Sequence, residues 1–179
     1  MTHKPASEVG EALPDSGGGP AEPEATYASP PCFMHELDPS YLGYLCAEET
    51  LSLLNLLLEA ERAGARGVMA MAREAQGPEL ARALNAVARD EARFCAMLTR
   101  HVRRLGGEPS TATGSFYDKL MARRGDVDRM VLLDRGQTWV ALKLKEALPK
   151  IADAELSRDL RDMLDVHEKN IRRCADVAI

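Results

Sequence analysis

The sequence has 179 residues, of which 28% are charged and 4% aromatic, and its formal net charge is −5 at pH 7. Scarce aromatic side chains leave little from which strands are built, whereas the abundant Leu, Ala, Arg and Glu favour helices. The acidic balance argues against nucleic acid as a main partner, because no unopposed basic run is large enough to replace the counterions of phosphates. The composition therefore predicts an all-α protein.

Patterns along the chain also argue against membrane and secreted classes. No stretch reaches the roughly 18 consecutive apolar residues that read as a transmembrane helix, and residues 1–20 lack the apolar core of a signal peptide. The four cysteines share no CxxC spacing, which favours reduced thiols over a disulfide framework or a zinc site. We expect a soluble cytoplasmic protein that does not bind membranes.

The amino-terminal region differs from the rest of the chain. Residues 1–31 carry six of the ten prolines and a run of three glycines, a composition that buries too little apolar surface to offset its ordering entropy. We predict a disordered tail over residues 1–31 and one helical domain over residues 32–179. Residues 32–45 are expected to form an extended lead-in along the bundle. Cys32 and His35 there have the spacing of half a metal site, although a packed segment with an exposed imidazole is the simpler interpretation.

Four long helices are predicted from apolar residues that recur at helical spacing. Their approximate ranges are residues 46–77, 78–105, 126–148 and 153–177. Glu49 can reach back to the free amides at the first helix start, and Pro78 suits the first position of the second helix. The connection from residue 106 to residue 117 is turn-rich and long enough for a crossover along the bundle, and it can continue into a short helix over residues 116–124.

Each predicted helix carries one polar residue in the middle of its apolar stripe. These residues are Glu61, Glu91, Gln137 and His167. A buried, unpaired carboxylate costs several kcal/mol, roughly, so such a group is usually paired, protonated or bound to metal. Glu61 and Gln137 are 76 residues apart, as are Glu91 and His167, and the spacing within each half is 30. Two repeated hairpins packed together would place the four side chains in one polar layer.

These residues carry a resemblance to a known family. The stretch from Leu54 to Glu61, LNLLLEAE, matches the L-N-x-x-L-x-x-E pattern of the first helix of bacterioferritin, in which the last Glu is an iron ligand. The two-hairpin repeat is similar to the ferritin-like superfamily, which includes bacterioferritin and rubrerythrin. The resemblance covers about residues 45–177. It implies an up-down ferritin-like four-helix bundle with a metal centre in its core.

The resemblance assigns roles position by position. Glu61 matches the ligand of the first helix, and Glu91 matches the glutamate of the Glu-x-x-His motif on the second. The histidine of that motif is replaced by Phe94, which cannot bind metal. In the second half, Gln137 and His167 occupy the positions of the two remaining glutamates. The chain is therefore expected to be a divergent member with an incomplete di-iron ligand set.

The second half leaves a choice of register. In the common offset, Asn170 takes the position of the second motif's histidine. An alternative register pairs Glu168 with Glu91, places Ile171 at the histidine position and brings Glu146 into the layer. It breaks the offset that relates the two hairpins and moves Glu168 off the main apolar stripe, so we rank it second.

The incomplete ligand set favours one metal ion over two. Two ferrous ions bring four positive charges, whereas the layer supplies two carboxylates, one amide and one imidazole. One divalent ion is matched by Glu61, Glu91 and His167, with Gln137 or water completing its coordination. We expect iron or manganese, with zinc as a further choice, and an oxidoreductase activity toward dioxygen or peroxide. Whether the protein is an enzyme stays open.

The alternative is a metal-free bundle that acts as a binding or scaffold protein. A proton shared between Glu61 and Glu91, or a protonated His167 between them, would remove most of the burial penalty. Outside the layer, Glu59, Arg62 and Arg66 are interpreted as solvated ion pairs, with a neighbouring subunit as another partner for Arg62. We expect a homodimer, and the missing ligands argue against a ferritin-type storage cage.

Overall fold

The computed structural model describes residues 39–177, and every regular element in that range is helical. The helices are α1 (Ala47–Glu74), α2 (Pro78–Arg104), α3 (Phe116–Met121), α4 (Asp126–Ala147) and α5 (Ala154–Val177). Two short 3-10 turns cover Pro39–Leu42 and Leu148–Lys150. The all-α prediction is confirmed. The predicted tail and the Cys32–His35 pair lie outside the described residues.

The ends of the long helices follow the signals in the sequence. Cys46 caps α1, since its Sγ accepts from the Glu49 amide while its own amide donates to Glu49 Oε2 at 2.9 Å. Pro78 begins α2, as predicted. At the end of α2, Gly106 adopts φ +78°, a left-handed conformation that glycine adopts without a Cβ penalty. The predicted ends of these four helices lie within about three residues of the observed ones.

The lead-in differs from the prediction. Pro39–Leu42 forms a 3-10 turn instead of an extended strand-like segment, and the side chains of Tyr41 and Leu42 are exposed. Leu45 packs against the core, and its amide donates to the Lys150 carbonyl at 2.9 Å. In the part of the segment that the structure describes, Leu45 is therefore the anchoring residue, whereas the side chains of Tyr41 and Tyr44 are exposed.

The helices form two hairpins joined by the predicted crossover. α1 packs along α2, and α4 packs along α5. The Leu45–Lys150 bond places the start of α1 beside the end of α4, and an ion pair between Arg129 and Glu74 places the start of α4 beside the end of α1. α4 therefore runs antiparallel to α1 and parallel to α2. Such a topology requires the connecting segment to cross the whole length of the bundle.

The crossover is held along one side of α1. Asn55 accepts from the Ser110 amide at 2.8 Å, and Arg62 donates to the Ala112 carbonyl at 2.5 Å. Glu59 accepts from the Ser110 hydroxyl. Arg66 lies over the Tyr117 ring with its guanidinium carbon 4.6 Å from the centroid. The prediction of solvated ion pairs on this face is therefore wrong, because these side chains bind the crossover.

The core consists of two apolar clusters, one toward each end of the bundle. The first includes Leu54, Leu58, Phe94, Leu98, Val140, Leu144, Leu156, Leu160 and Met163. The second includes Val68, Met71, Leu84, Val87, Met130, Leu133 and Cys174. On every long helix, the predicted polar residue falls between the two clusters. None of the helices within residues 39–177 is long and apolar enough to cross a membrane.

Candidate metal centre

The four predicted polar residues meet in one buried layer, which we call the core layer. Glu61 and His167 are 1% exposed, Glu91 is 2% exposed and Gln137 is 3% exposed. Each comes from a different long helix. The structure therefore brings together the side chains that the repeat of 76 residues placed at matching heights.

A chain of hydrogen bonds connects three of these residues. Gln137 Nε2 donates to Glu91 Oε1 at 2.6 Å, and Gln137 Oε1 lies 2.7 Å from His167 Nδ1. Because Gln137 Nε2 donates to the Glu91 carboxylate, the other end of the same amide, Oε1, faces the His167 imidazole and acts as an acceptor. Nδ1 of His167 must therefore carry the proton. In a neutral imidazole this leaves Nε2 with a free lone pair, which is the form that binds metal.

The free nitrogen faces the remaining carboxylate. His167 Nε2 lies 3.2 Å from Glu61 Oε1, an ion-pair distance, but the pair lacks the geometry of a hydrogen bond. Three buried atoms consequently have no hydrogen-bond partner: Glu61 Oε2, Glu91 Oε2 and His167 Nε2. Buried polar atoms are rarely left in this state without an ion, a water or a functional role. Their types, two carboxylate oxygens and one imidazole nitrogen, are those of a divalent-metal site.

The electrostatics of the layer favour a positive charge within it. Burial, and next the negative charge of Glu61, raise the pKa of Glu91 well above its usual range, although the hydrogen bond from Gln137 opposes this rise. Burial first, and then the same Glu61 charge, raise the pKa of the Cys95 thiol to about 11. The Cys95 thiol is therefore protonated near neutral pH and is not a ready metal ligand.

A glycine on α1 makes room for one of the acids. A Cβ added at Gly64 would lie 2.7 Å from Glu91 Oε1 and 3.0 Å from Glu91 Oε2. The Glu91 carboxylate therefore rests against the backbone of α1, one helical turn beyond Glu61. Any other residue at position 64 would compete with the carboxylate for this space.

The two positions at which the resemblance places histidines are filled differently. Phe94 is buried and stacks on the His167 ring, with centroids 5.5 Å apart and planes 23° apart. Asn170 is also buried, but its Nδ2 donates to Asp90 Oδ2 at 3.2 Å and its Oδ1 accepts from Arg173. Phe94 orients the imidazole and Asn170 is engaged elsewhere, so neither supplies a ligand for a second ion.

The alternative register is wrong. Glu168 pairs with Lys145 at 2.7 Å, and Glu146 pairs with Lys143 at 2.9 Å, on the surfaces of α5 and α4. The hydrogen bond from Lys145 lowers the pKa of Glu168, which keeps its carboxylate charged and solvated. Helical periodicity explains the outcome, because position 168 is rotated about 100° from the buried position 167.

A second group of ligand types lies at the end of the bundle where α2 finishes. In the part of the chain that the structure describes, His101, Glu155 and Asp159 are the set of three such residues whose ligand atoms all lie within 4.8 Å of one another. The ligand atoms of Glu61, Glu91 and His167 are spread more widely than this. We call His101, Glu155 and Asp159, together with the arginines around them, the α2–α5 network.

The α2–α5 network is already neutralised by arginines. His101 Nε2 lies 2.9 Å from Asp159 Oδ2, and Arg104 lies 3.1 Å from His101 Nδ1. Asp159 also pairs with Arg100 and Arg158, at 2.5 Å and 3.1 Å. A cation would have to displace these guanidinium groups, so despite its compactness this group is better explained as a structural ion-pair network.

A cavity of about 420 Å³ opens to the surface beside the core layer. It lies between α1, α3 and α4, and Glu61, Glu91 and Gln137 form part of its lining. The short helix α3 covers it on one side by packing against two glycines. A Cβ at Gly67 would meet Leu120 at 2.6 Å, and one at Gly136 would meet Phe116 at 2.8 Å. The cavity therefore ends against the two acids of the core layer, whose side chains stay buried.

Sequence reasoning missed several of these residues. His101 lies one helical turn after Met97 on the buried side of α2, so extending the apolar stripe by that turn would have found it. Gly64 and Gly67 are two glycines inside a helix, which is a signal of close packing. The cavity has no sequence signal, because α3 and α4 are brought to α1 only by tertiary structure.

The architecture can be compared with proteins of known structure. A crystal structure described as ferritin like, diiron-carboxylate proteins from Bacillus anthracis str. Ames matches with a TM-score of 0.67 and 16% identity, covering 74% of this chain and 97% of that chain. At this identity the likeness concerns the fold. No curated protein matches the chain.

Two paired hairpins, a crossover along α1 and a polar layer at mid-height define a ferritin-like four-helix bundle. The chain belongs to the family described as Domain of unknown function (DUF6306), whose profile matches residues 48–176. The matched range includes all four residues of the core layer.

Proposed function

We propose that the protein binds one divalent metal ion in the core layer, with Glu61, Glu91 and His167 as ligands and Gln137 as a further ligand or a hydrogen-bonding support. The observation that carries the proposal is the presence of three buried ligand atoms without hydrogen-bond partners in one layer. Two carboxylates balance the charge of one divalent ion. His167 Nε2 and Glu61 Oε1 are 3.2 Å apart, a spacing that two ligands of one ion with bonds of about 2.0–2.2 Å can have.

A single ion fits the layer better than two. The resemblance to di-iron proteins requires four carboxylates and two histidines, whereas Phe94 and Asn170 take the histidine positions here and Gln137 takes one glutamate position. The description of the similar Bacillus anthracis structure supports iron as the metal. Manganese and zinc bind the same donor types and are the other choices.

The favoured activity is that of an oxidoreductase that uses dioxygen or peroxide. An iron or manganese ion would supply the redox chemistry, while the chain supplies the ligands and the cavity that leads to them. Phe94 stacks on His167, and Gln137 accepts a hydrogen bond from His167 Nδ1. The imidazole is therefore held with Nε2 toward Glu61.

The free cysteines at positions 46, 95 and 174 support a reducing, cytoplasmic compartment.

The rival function is a metal-free scaffold with a polar core layer. The proximity of His167 Nε2 to Glu61 Oε1 favours it, because an imidazolium there would form a buried ion pair. The two proposals differ in the effect of removing the acids. A scaffold should tolerate Glu61→Leu with Glu91→Gln, or become more stable, whereas the metal-bound protein should lose the stabilisation that its ion provides.

Elemental analysis of gently purified protein tests the metal proposal. We expect close to one iron, manganese or zinc ion per chain, and Glu61→Ala or His167→Ala should reduce this below about one tenth. Glu168→Ala is the matched control, since it removes an acid next to His167 that faces solvent, and it should retain the metal. Metal-free wild-type protein, or metal that survives in both core variants, would overturn the proposal.

We also propose that the protein is a homodimer. Val127 and Val131 are exposed one helical turn apart near the start of α4, and an exposed apolar patch on a helix is typical of an interface. Sedimentation velocity should give a dimer for the wild type and a monomer for Val127→Lys with Val131→Lys. Met69→Lys, which changes an exposed apolar residue on α1, should leave the dimer intact. A wild-type monomer at about 100 μM would contradict the proposal.

A further inference from the structure

We propose that the cavity above the core layer binds an organic carboxylate with an unbranched apolar chain, its tail directed toward the layer and its carboxylate at the mouth. The cavity volume of about 420 Å³ falls in the range of roughly 300–1,000 Å³ that small-molecule sites occupy. As a substrate assignment, this inference rests on the proposed metal site, whereas binding itself does not require the metal.

Between the charged mouth and the acidic floor, the walls of the cavity are apolar. They include Leu56, Ala60, Phe116, Leu133, Trp139 and Val140. A sugar or a nucleotide would lose its hydrogen bonds to water against such walls, at a cost of a few kcal/mol, roughly, for each unpaired polar group. The lining therefore selects a ligand whose body is hydrocarbon.

Exposure distinguishes the two ends of the cavity. Leu56 and Trp139 are partly exposed, at 44% and 40%, and belong to the mouth. Ala63, Leu133 and Val140 are buried and lie deeper, and Glu61 and Glu91 are 1–2% exposed and form the floor. A hydrocarbon chain entering from the mouth would thus end beside the atoms that lack hydrogen-bond partners.

The mouth carries two positive charges that the protein does not use. Lys119 of α3 and Arg135 of α4 both line the cavity and are exposed. Within residues 39–177, no side-chain hydrogen bond or ion pair engages either of them. The acid at the same rim, Glu59, carries one negative charge, which the hydrogen bond from the neutral Ser110 hydroxyl does not cancel. Lys119 and Arg135 outnumber this acid among the lining residues at the mouth, so the charge there is positive and favours an anionic head group.

The floor disfavours the opposite orientation in the metal-depleted protein. A carboxylate driven into the cavity would lose its hydration beside the acid Glu61, and the described residues that line the floor include no cationic side chain to compensate. A methyl-terminated chain avoids this penalty. The charge distribution thus fixes both the class of ligand and its direction.

The protein contains its own reporter for the test. Trp139 is the single tryptophan of the chain and lines the cavity mouth. Titrating decanoate into the full-length, metal-depleted protein, below the concentration at which the acid forms micelles, should change the Trp139 fluorescence in a saturable way. Decanol has the same chain without the charge and should bind about tenfold more weakly.

Charge variants test the head-group contact. Lys119→Ala with Arg135→Ala should weaken decanoate binding about tenfold and leave decanol binding unchanged. The matched control is Lys169→Ala with Arg172→Ala, which removes one lysine and one arginine from the exposed surface of α5, away from the cavity. The control should bind decanoate like the wild type.

A series of chain lengths tests the direction of the tail. From hexanoate to decanoate, affinity should rise about fourfold for each methylene that enters the apolar walls, and it should stop rising once the chain reaches the floor. Ala60→Leu narrows the wall and should move this limit to shorter acids. Circular dichroism of each variant distinguishes a narrowed cavity from an unfolded bundle.

The outcomes separate this inference from the metal proposal. If the protein never acquires metal but binds decanoate, the ligand proposal is supported and the metal proposal is overturned. If the protein carries its full metal content but decanoate does not change the Trp139 fluorescence, the metal proposal is supported and the ligand proposal is overturned. Equal affinities for decanoate and decanol, or an unchanged affinity in the Lys119 and Arg135 variant, would overturn the assignment of a carboxylate ligand.

Discussion

The core layer and the α2–α5 network contain the same residue types but satisfy them in opposite ways. Both have a histidine that is at most 1% exposed beside a carboxylate. In the α2–α5 network, His101 and Asp159 are surrounded by arginines, so the carboxylate is paired with guanidinium groups and both ring nitrogens of His101 have partners. In the core layer, no arginine or lysine pairs with Glu61 or Glu91 within residues 39–177, and three polar atoms lack hydrogen bonds.

The difference shows that proximity alone does not identify a metal site. The α2–α5 network is the more compact group, yet its lone pairs are engaged by guanidinium groups. The core layer is looser, but its lone pairs are free and its charge is negative. Unsatisfied donor atoms in a buried site are the stronger sign of a ligand, because burying them without one is costly.

The largest expected effect comes from breaking the α2–α5 network. Asp159→Ala leaves the buried His101 Nε2 without a partner and the surrounding arginines without their acid, so the free energy of unfolding should fall by about 3 kcal/mol. Urea denaturation at pH 7 measures this change. The metal content should remain that of the wild type.

The corresponding substitution in the core layer, Glu61→Gln, should have a much smaller effect on stability than Asp159→Ala. Glu61→Gln keeps the side-chain shape and, in metal-depleted protein, should change the free energy of unfolding by less than about 1 kcal/mol, because it removes a buried charge that has no hydrogen-bonded partner. A loss as large as that of Asp159→Ala would show that the two sites are both structural.

An intermediate effect is expected at Gly64. In Gly64→Ala, the new Cβ would collide with the Glu91 carboxylate at 2.7 Å, so overpacking should outweigh the gain in helix propensity and cost about 1–2 kcal/mol net. Metal affinity should fall at least about tenfold, because Glu91 is displaced. Isothermal titration with manganese and urea denaturation measure the two effects.

Gly114→Ala provides the control for Gly64→Ala. A Cβ at Gly114 meets nothing within 4 Å, although the residue also lines the cavity. Its stability and metal affinity should equal those of the wild type. Unchanged metal binding in Gly64→Ala would argue that Glu91 is not a ligand.

A small effect is expected at the edge of the α2–α5 network. The hydrogen bond from Arg104, and next that from the Leu156 amide, lower the pKa of Asp153. A carboxyl with a lowered pKa in the folded state stabilises the protein above its unfolded pKa of about 3.9, and this contribution is lost as the pH falls through the folded value. Asp153→Asn should cost about 0.5–1 kcal/mol at pH 7.

Urea denaturation at two pH values measures this contribution. The difference between wild type and Asp153→Asn should be smaller at a pH below the unfolded pKa of about 3.9 than at pH 7, because the contribution is lost as Asp153 becomes protonated in the folded state. A difference that is the same at both pH values would mean that the amide disturbs the start of α5 for a reason other than charge.

The sequence predicts the bundle and the core layer well because both follow from periodicity. Glu61 and Gln137 interrupt apolar stripes at the same offset as Glu91 and His167, and burial of one helix face fixes which side chains point inward. Helix ends are also local, since Cys46, Glu49 and Pro78 act within one turn of the chain. The metal itself remains a proposal, because ligand types do not distinguish a bound ion from a shared proton.

The contacts of the crossover could not be predicted. Glu59, Arg62 and Arg66 form a pattern that local rules interpret as ion pairs along one helix, yet their partners lie about fifty residues away in the crossover. Arg129 and Glu74 pair across a similar separation. Such partners depend on the path of an irregular segment, for which neither helical period nor capping gives a rule.

The two glycine contacts of α3 have a consequence for how this family can diversify. The roof of the cavity is a helix of six residues whose Leu120 and Phe116 fit against Gly67 and Gly136, while the four long helices carry the core layer. Exchanging a side chain on this small roof would reshape one side of the cavity and leave the core layer untouched. The shape of this opening can therefore vary among members of the family while the buried polar residues stay the same.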